Sequence, residues 1–270
     1  MEKFYVDENN PLIVGANYSW RNYDEDYKIY DWNDLSLYAN YRQYVSDDDF
    51  ILTGYIFDRT NYTNLSVFSF NEHKAFLKFR FAFPSKTSLL IGTEGGYKDY
   101  TEKYNMHGIA DNISQVRGFI QFAQSLGDAT GLSAFVQLRK NIQKGNRYVN
   151  FGEYSYYEEE LIYDQYSNEG YEGGVKLTQL IIPSLIISGF VNYEFNDYLN
   201  LPAADLDGNE HNYSREDKQL RYGIGLEASL GIILSGLFGN VNWLMINNDS
   251  NDPFYNYKNQ IFSAGLEFNF

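Results

Sequence analysis

The chain has 270 residues, no cysteine, 26 Tyr, 20 Phe and a formal net charge of −15. That sign excludes a nucleic-acid-binding role, which needs a basic footprint. Mean hydropathy is −0.46 and no run of about 18 apolar residues occurs, so transmembrane helices are excluded, whereas membrane strands, in which only alternate residues touch lipid, are not. An aromatic share of 18% points to strands and to rings at an interface. The lack of thiols has two readings: chance, or a chain that crosses an oxidising compartment before folding.

Residues 1–10 read as a short polar lead-in. Met1-Glu2-Lys3 opens no leader peptide, which an exported chain carries, so a mature chain with an added Met is expected. Period-2 alternation then marks twelve segments, at 11–21, 35–45, 50–58, 75–83, 88–98, 115–125, 131–140, 171–181, 185–195, 218–229, 236–246 and 259–270. In the first, Leu12, Val14, Ala16, Tyr18 and Trp20 share a face. In the fourth, Ala75, Leu77, Phe79, Phe81 and Phe83 oppose Lys78 and Arg80. The seventh sets Leu132, Ala134, Val136 and Leu138 against Ser133, Gln137 and Arg139. The third, around Gly54, is ambiguous in face.

The connections alternate short and long. The short ones, Ser46–Asp49, Pro84–Thr87, Leu126–Gly131, Ile182–Ser184 and Gly231–Gly236, carry the Pro, Gly, Asp and Ser of tight turns. The long ones are Asn22–Asp34, Asp58–Lys74, Asp99–Ser114, Asn141–Gly170, Phe195–Asp217 and Asn247–Lys258. A sandwich has no reason to keep that parity. A membrane barrel does, with turns on the periplasmic side and loops outside. No linker interrupts the pattern, so residues 1–270 read as one domain.

The last residues, Ser263-Ala264-Gly265-Leu266-Glu267-Phe268-Asn269-Phe270, alternate to a terminal aromatic. With the strand pattern, this tail resembles that of bacterial outer-membrane β-barrels, whose C-terminal signal the barrel-assembly machinery accepts. Gly265, Phe268 and Phe270 match that signal. The resemblance implies an all-β, 12-stranded antiparallel up-and-down transmembrane barrel in the bacterial outer membrane. Both termini would be periplasmic, and lipid and lipopolysaccharide would surround the wall. Tyr18 and Trp20, Tyr41 and Tyr44, Tyr97 and Tyr100, Tyr193 and Tyr198, and Phe268 and Phe270 are then read as interfacial girdles, although ordinary β-propensity places the same residues anywhere along a strand.

Placing the polar faces inward gives the lumen. Its cations are Arg42, Lys78, Arg80, Lys98, Arg117, Arg139, Lys176 and Arg221, and its carboxylates are Glu94, Glu172, Glu194, Glu227 and Glu267. The interior is therefore expected to be net basic, with the acid mostly in the loops. Two readings stand: the charges pair and fill the barrel, or the basic set lines a narrow pore and attracts anions. In the loops, Asp205, Asp207 and Glu210 around Gly208 offer oxygen ligands to a Ca2+ ion, without the full spacing of a calcium loop. Asn141–Gly170, rich in Tyr, is long enough to fold into the mouth. His73, His107 and His211 all fall in loops, and no zinc pair, nucleophile elbow or phosphate loop accompanies them, so no enzyme is expected. The leading expectation is a channel for small anionic solutes or oligosaccharides. The alternatives are a non-conducting, ion-paired barrel serving as anchor or adhesin, and the barrel part of a larger export system.

Overall fold

The structure, a computed structural model, describes residues 2–5, 10–104, 109–143, 147–150, 155–157, 164–231, 234 and 236–268. Its strands are β1 (Glu2–Tyr5), β2 (Pro11–Arg21), β3 (Trp32–Tyr44), β4 (Phe50–Tyr62), β5 (Phe70–Phe83), β6 (Thr87–Tyr100), β7 (Asn112–Ser125), β8 (Thr130–Asn141), β9 (Tyr148–Asn150), β10 (Ser155–Tyr157), β11 (Glu169–Ile182), β12 (Leu185–Ala204), β13 (Glu210–Ser229), β14 (Leu237–Ser250) and β15 (Tyr257–Phe268). All but β9 and β10 form one 13-stranded sheet in which each strand pairs with its chain neighbour, β8 running on to β11. Every strand pairing among the described residues is antiparallel. The architecture is all-β and up-and-down, as the alternation predicts.

The twelve predicted segments correspond to β2–β8 and β11–β15. The lead-in differs from expectation, because Glu2–Tyr5 pairs with Pro11–Val14 along the edge of β2. Most strands also run further than predicted toward the long connections, since backbone pairing continues after the apolar alternation has stopped. The largest extension is the β12–β13 hairpin, two strands of 20 residues each. At about 3.3 Å per residue such a strand reaches roughly 65 Å, twice a hydrocarbon core of about 30 Å. The predicted loop Phe195–Asp217 is therefore mostly strand, closed by a turn at 205–209 that contains Gly208 at φ 82°. Register shifts flank Pro202, which cannot donate to a ladder.

The apolar face points outward. Leu77, Phe81, Ile120, Val136, Leu138, Val175, Val191, Ile224, Val241 and Leu266 are all exposed large hydrophobics. Among the girdle residues, Tyr18, Trp20, Tyr97, Tyr193 and Phe268 share that exposure. Tyr100 and Tyr198 are instead buried, and Tyr44 lies in register with Arg80 through Phe50 on the opposite face. Compact apolar packing sits at the rim. Leu65, Val67 and Phe68 bury against Tyr62, Ile29, Tyr30 and Trp32, and Phe70 packs with Tyr100 and Ala110.

Candidate functional site

Cross-strand register assembles the polar face row by row, because directly opposed residues share a face. One row runs Arg42, Leu52, Lys78, Gly92, Phe119, Gln137, Glu172, Glu194. A neighbouring row runs Asn40, Gly54, Phe76, Glu94, Arg117, Arg139. The ambiguous third segment is thereby settled, with Gly54 on the polar face.

Several inward glycines lie opposite inward aromatics. A Cβ on Gly15 would strike the ring of Tyr38, one on Gly54 the ring of Phe76, and one on Gly92 the ring of Phe119. The rings therefore lie against the wall in the space the missing side chains leave, and their faces are open to cations. Lys78 Nζ sits 4.7 Å from the Phe76 ring centre and 5.7 Å from that of Phe119. The Arg42 and Arg80 guanidinium groups lie 4.8 Å and 5.6 Å from the Phe50 ring centre.

The predicted cations fall into two groups. Arg117 pairs with Glu94 at 2.9 Å and Arg139 with Glu194 at 2.9 Å. Arg221 reaches Glu172 at 2.5 Å and Glu194 at 3.1 Å. Lys98, 1% exposed, pairs with Asp164 at 3.1 Å. In contrast, no carboxylate lies within ion-pair distance of Arg42, Lys78, Arg80 or Lys176 among the described residues. An aromatic face holds a cation in place without cancelling its charge, as a carboxylate would. Asp49, in the turn after β3, feels Arg80 through space. Its carboxyl is held below the usual range chiefly by the Ala82 N–H and then by Ser46.

Glu227 and Glu267 stand apart from both groups. They line a cavity of 610 Å³ near the short-turn end with Ile186, Phe238, Asn240 and Asn242. Gly265 faces Asn240 there, Phe268 is exposed, and Phe270 lies outside the described residues.

The end of the β8–β11 connection, Asp164–Asn168, packs against the inward face of the wall. A short 3-10 turn, Gln165–Ser167, buries Tyr166 to 1% exposure. The Tyr166 hydroxyl donates to Glu72 at 2.6 Å. Burial, then the Glu72 carboxylate, pushes its pKa upward. Glu72 and Lys74, which forms ion pairs of 3.2 Å with Glu72 and 3.0 Å with Asp58, are additional charged residues of this site. They carry the same even parity as Lys78 and Arg80, so extending the alternation upstream of Ala75 finds them. Arg147 carries no such signal. It is fully buried by contacts with distant loops, donating to the carbonyls of Val67 at 2.9 Å, Ala110 at 2.6 Å and Glu102.

The loop-metal reading and the histidine placement both need correction. The Asp205 carboxylate accepts the N–H groups of Asp207 and Asn209, each at 2.9 Å, and closes the β12–β13 turn. No group of three His, Cys, Asp or Glu suited to a metal, Asp205, Asp207 and Glu210 included, gathers among the described residues. His73 and His211 lie on β5 and β13 rather than in loops. His73 is bonded to the Tyr55 hydroxyl at 2.5 Å beside Phe57 and Tyr97. His211 stacks on Tyr213 at 4.8 Å. His107 lies outside the described residues.

No protein-family model matches the chain, and no curated protein matches it in sequence. Solved structures do match in fold. OccAB1 of Acinetobacter baumannii is similar over 99% of this chain and 67% of its own, at 12% identity and TM-score 0.54. The KdgM porin in complex with disordered oligogalacturonate covers 96% of this chain and 99% of its own, at 7% identity and TM-score 0.37. The translocator domain of the autotransporter NalP from Neisseria meningitidis covers 97% of this chain and 87% of its own, at 10% identity and TM-score 0.31. The fold is similar to that of bacterial outer-membrane β-barrels.

Proposed function

We propose that the protein is an outer-membrane channel that passes small anionic solutes or saccharides along a basic wall. The observation that carries this reading is the set of Arg42, Lys78 and Arg80 on β3 and β5, facing inward on aromatic rings rather than on carboxylates. Charges of one sign on a narrow, low-dielectric wall focus potential and select ions of the opposite sign. Arg117, Arg139 and Arg221 act structurally, knitting adjacent and next-but-one strands through the carboxylates of Glu94, Glu172 and Glu194. The short turns face the periplasm in this reading and the β8–β11 connection faces outside.

The ion pairs also favour a second reading, a closed barrel serving as surface anchor or adhesin, and flux separates the two. Protein in liposomes is expected to pass chloride faster than potassium. Converting Arg42, Lys78 and Arg80 together to Glu is expected to reverse that preference, while Lys86→Glu, at an exposed turn, leaves it unchanged. Unaltered anion preference in the triple variant contradicts the channel assignment of these residues. Absence of flux from folded protein favours the closed barrel.

A further inference from the structure

We propose that the segment Asp164–Asn168 is the size-selecting constriction of this barrel, held by seating Tyr166 against Gly96. The inference rests on the channel reading above and adds residues that set which solutes enter. Four wall strands contribute to the seat. From β5, Glu72 accepts the Tyr166 hydroxyl at 2.6 Å. From β6, Gly96 leaves the space that hydroxyl occupies, where any Cβ would overlap it. Also from β6, Lys98 pairs with Asp164 at 3.1 Å. From β7, Gln115 Nε2 donates to the carbonyls of Gln165 at 2.8 Å and Asn168 at 3.1 Å. From β8, Asn141 Nδ2 donates to the Tyr166 carbonyl at 2.8 Å.

A loop resting by chance on a wall does not bury a lysine to 1% exposure, because an unpartnered charge there is costly. The seat and the segment are therefore built for each other. Arg147 fastens the same connection to the neighbouring loops, between the rings of Tyr100 at 4.6 Å and Tyr104 at 4.8 Å.

The position of the segment separates two tasks. Gly96 is four residues along β6 from Gly92, which opposes Lys78. At about 3.3 Å per residue along the strand, the segment stands roughly 13 Å from the level of Lys78. A solute entering from the loop side meets the segment first and the cations second, so the segment sets size and the cations set sign.

The test uses neutral polymers of graded size in planar bilayers. Tyr166→Ala in the full chain is expected to raise single-channel conductance about twofold and to admit larger polymers, with the sign of ion selectivity retained. Gly96→Val, which displaces the ring, is expected to do the same, and Tyr166→Phe to do less. Because the chain lacks cysteine, Gln121→Cys below the segment gives a second readout, its labelling by maleimides of increasing bulk added from the loop side. Bulky reagents are expected to react only when Tyr166 is Ala. An unchanged polymer cutoff and unchanged labelling in folded Tyr166→Ala protein overturn the constriction. If labelling is size-filtered but no current flows, the constriction stands and the channel reading falls.

Discussion

At the residue scale, partner chemistry separates arginines that look alike in sequence. Arg139 donates to Glu194 and Asn196, and both acceptors are buried. Removing one member of a buried ion pair costs about 3–5 kcal/mol. Arg139→Met is expected to cost less, about 2–3 kcal/mol, because Arg221 still reaches Glu194. Arg80→Met, whose partner is a ring, is expected to cost under about 1 kcal/mol. Urea unfolding of the two variants in lipid vesicles checks the contrast, and equal losses contradict it. Asp205 provides a pH test of the same kind. Hydrogen bonds from Asn209 hold its carboxyl below 3.8. Its contribution to the turn is therefore complete above that value and is lost as pH falls through the lower folded pKa. Amide exchange at Asn209 should stay slow at pH 5 and rise only in stronger acid.

At the element scale, the strands are legible because an exposed apolar face on one side and a polar face on the other impose strict alternation. Legibility failed where that solvent contrast ends. Beyond the membrane-length stretch, β12 and β13 keep pairing with mixed side chains, so Phe195–Asp217 reads as loop although most of it is hairpin. Glu72 and Lys74 lie on β5 upstream of the predicted segment that starts at Ala75, and only their even parity marks them as part of the polar face. Glycine–aromatic pairing across strands is a further device that period-2 reading misses, because it depends on register. Gly54 and Phe76 are directly opposed. Gly54→Ala is expected to destabilise the barrel by about 1–3 kcal/mol through crowding. Combined with Phe76→Ala the cost should be less than additive, since the added methyl then has room. Strict additivity in thermal unfolding contradicts this packing.

At the scale of the whole molecule, the sequence led to the inward cations but not to their division. Parity alone places Arg42, Lys78, Arg80, Arg117, Arg139 and Arg221 on one face. Which of them meet carboxylates depends on strand register and on neighbours up to 55 positions away, as with Arg139 and Glu194. The β8–β11 connection was recognisable as long and tyrosine-rich. The seat that receives it, made of Glu72, Gly96, Lys98, Gln115 and Asn141, exists only once four strands are side by side. A net charge of −15 thus coexists with inward cations, Arg42, Lys78 and Arg80, that rest on aromatic rings, because the sum over the chain conceals where each sign lies. The most direct test of this account is the reversal potential of single channels of the unaltered protein across a planar bilayer with a salt gradient. The account predicts discrete conductance with a reversal potential displaced toward the chloride equilibrium value. A cation-selective reversal potential, or a silent bilayer containing verified folded protein, contradicts it.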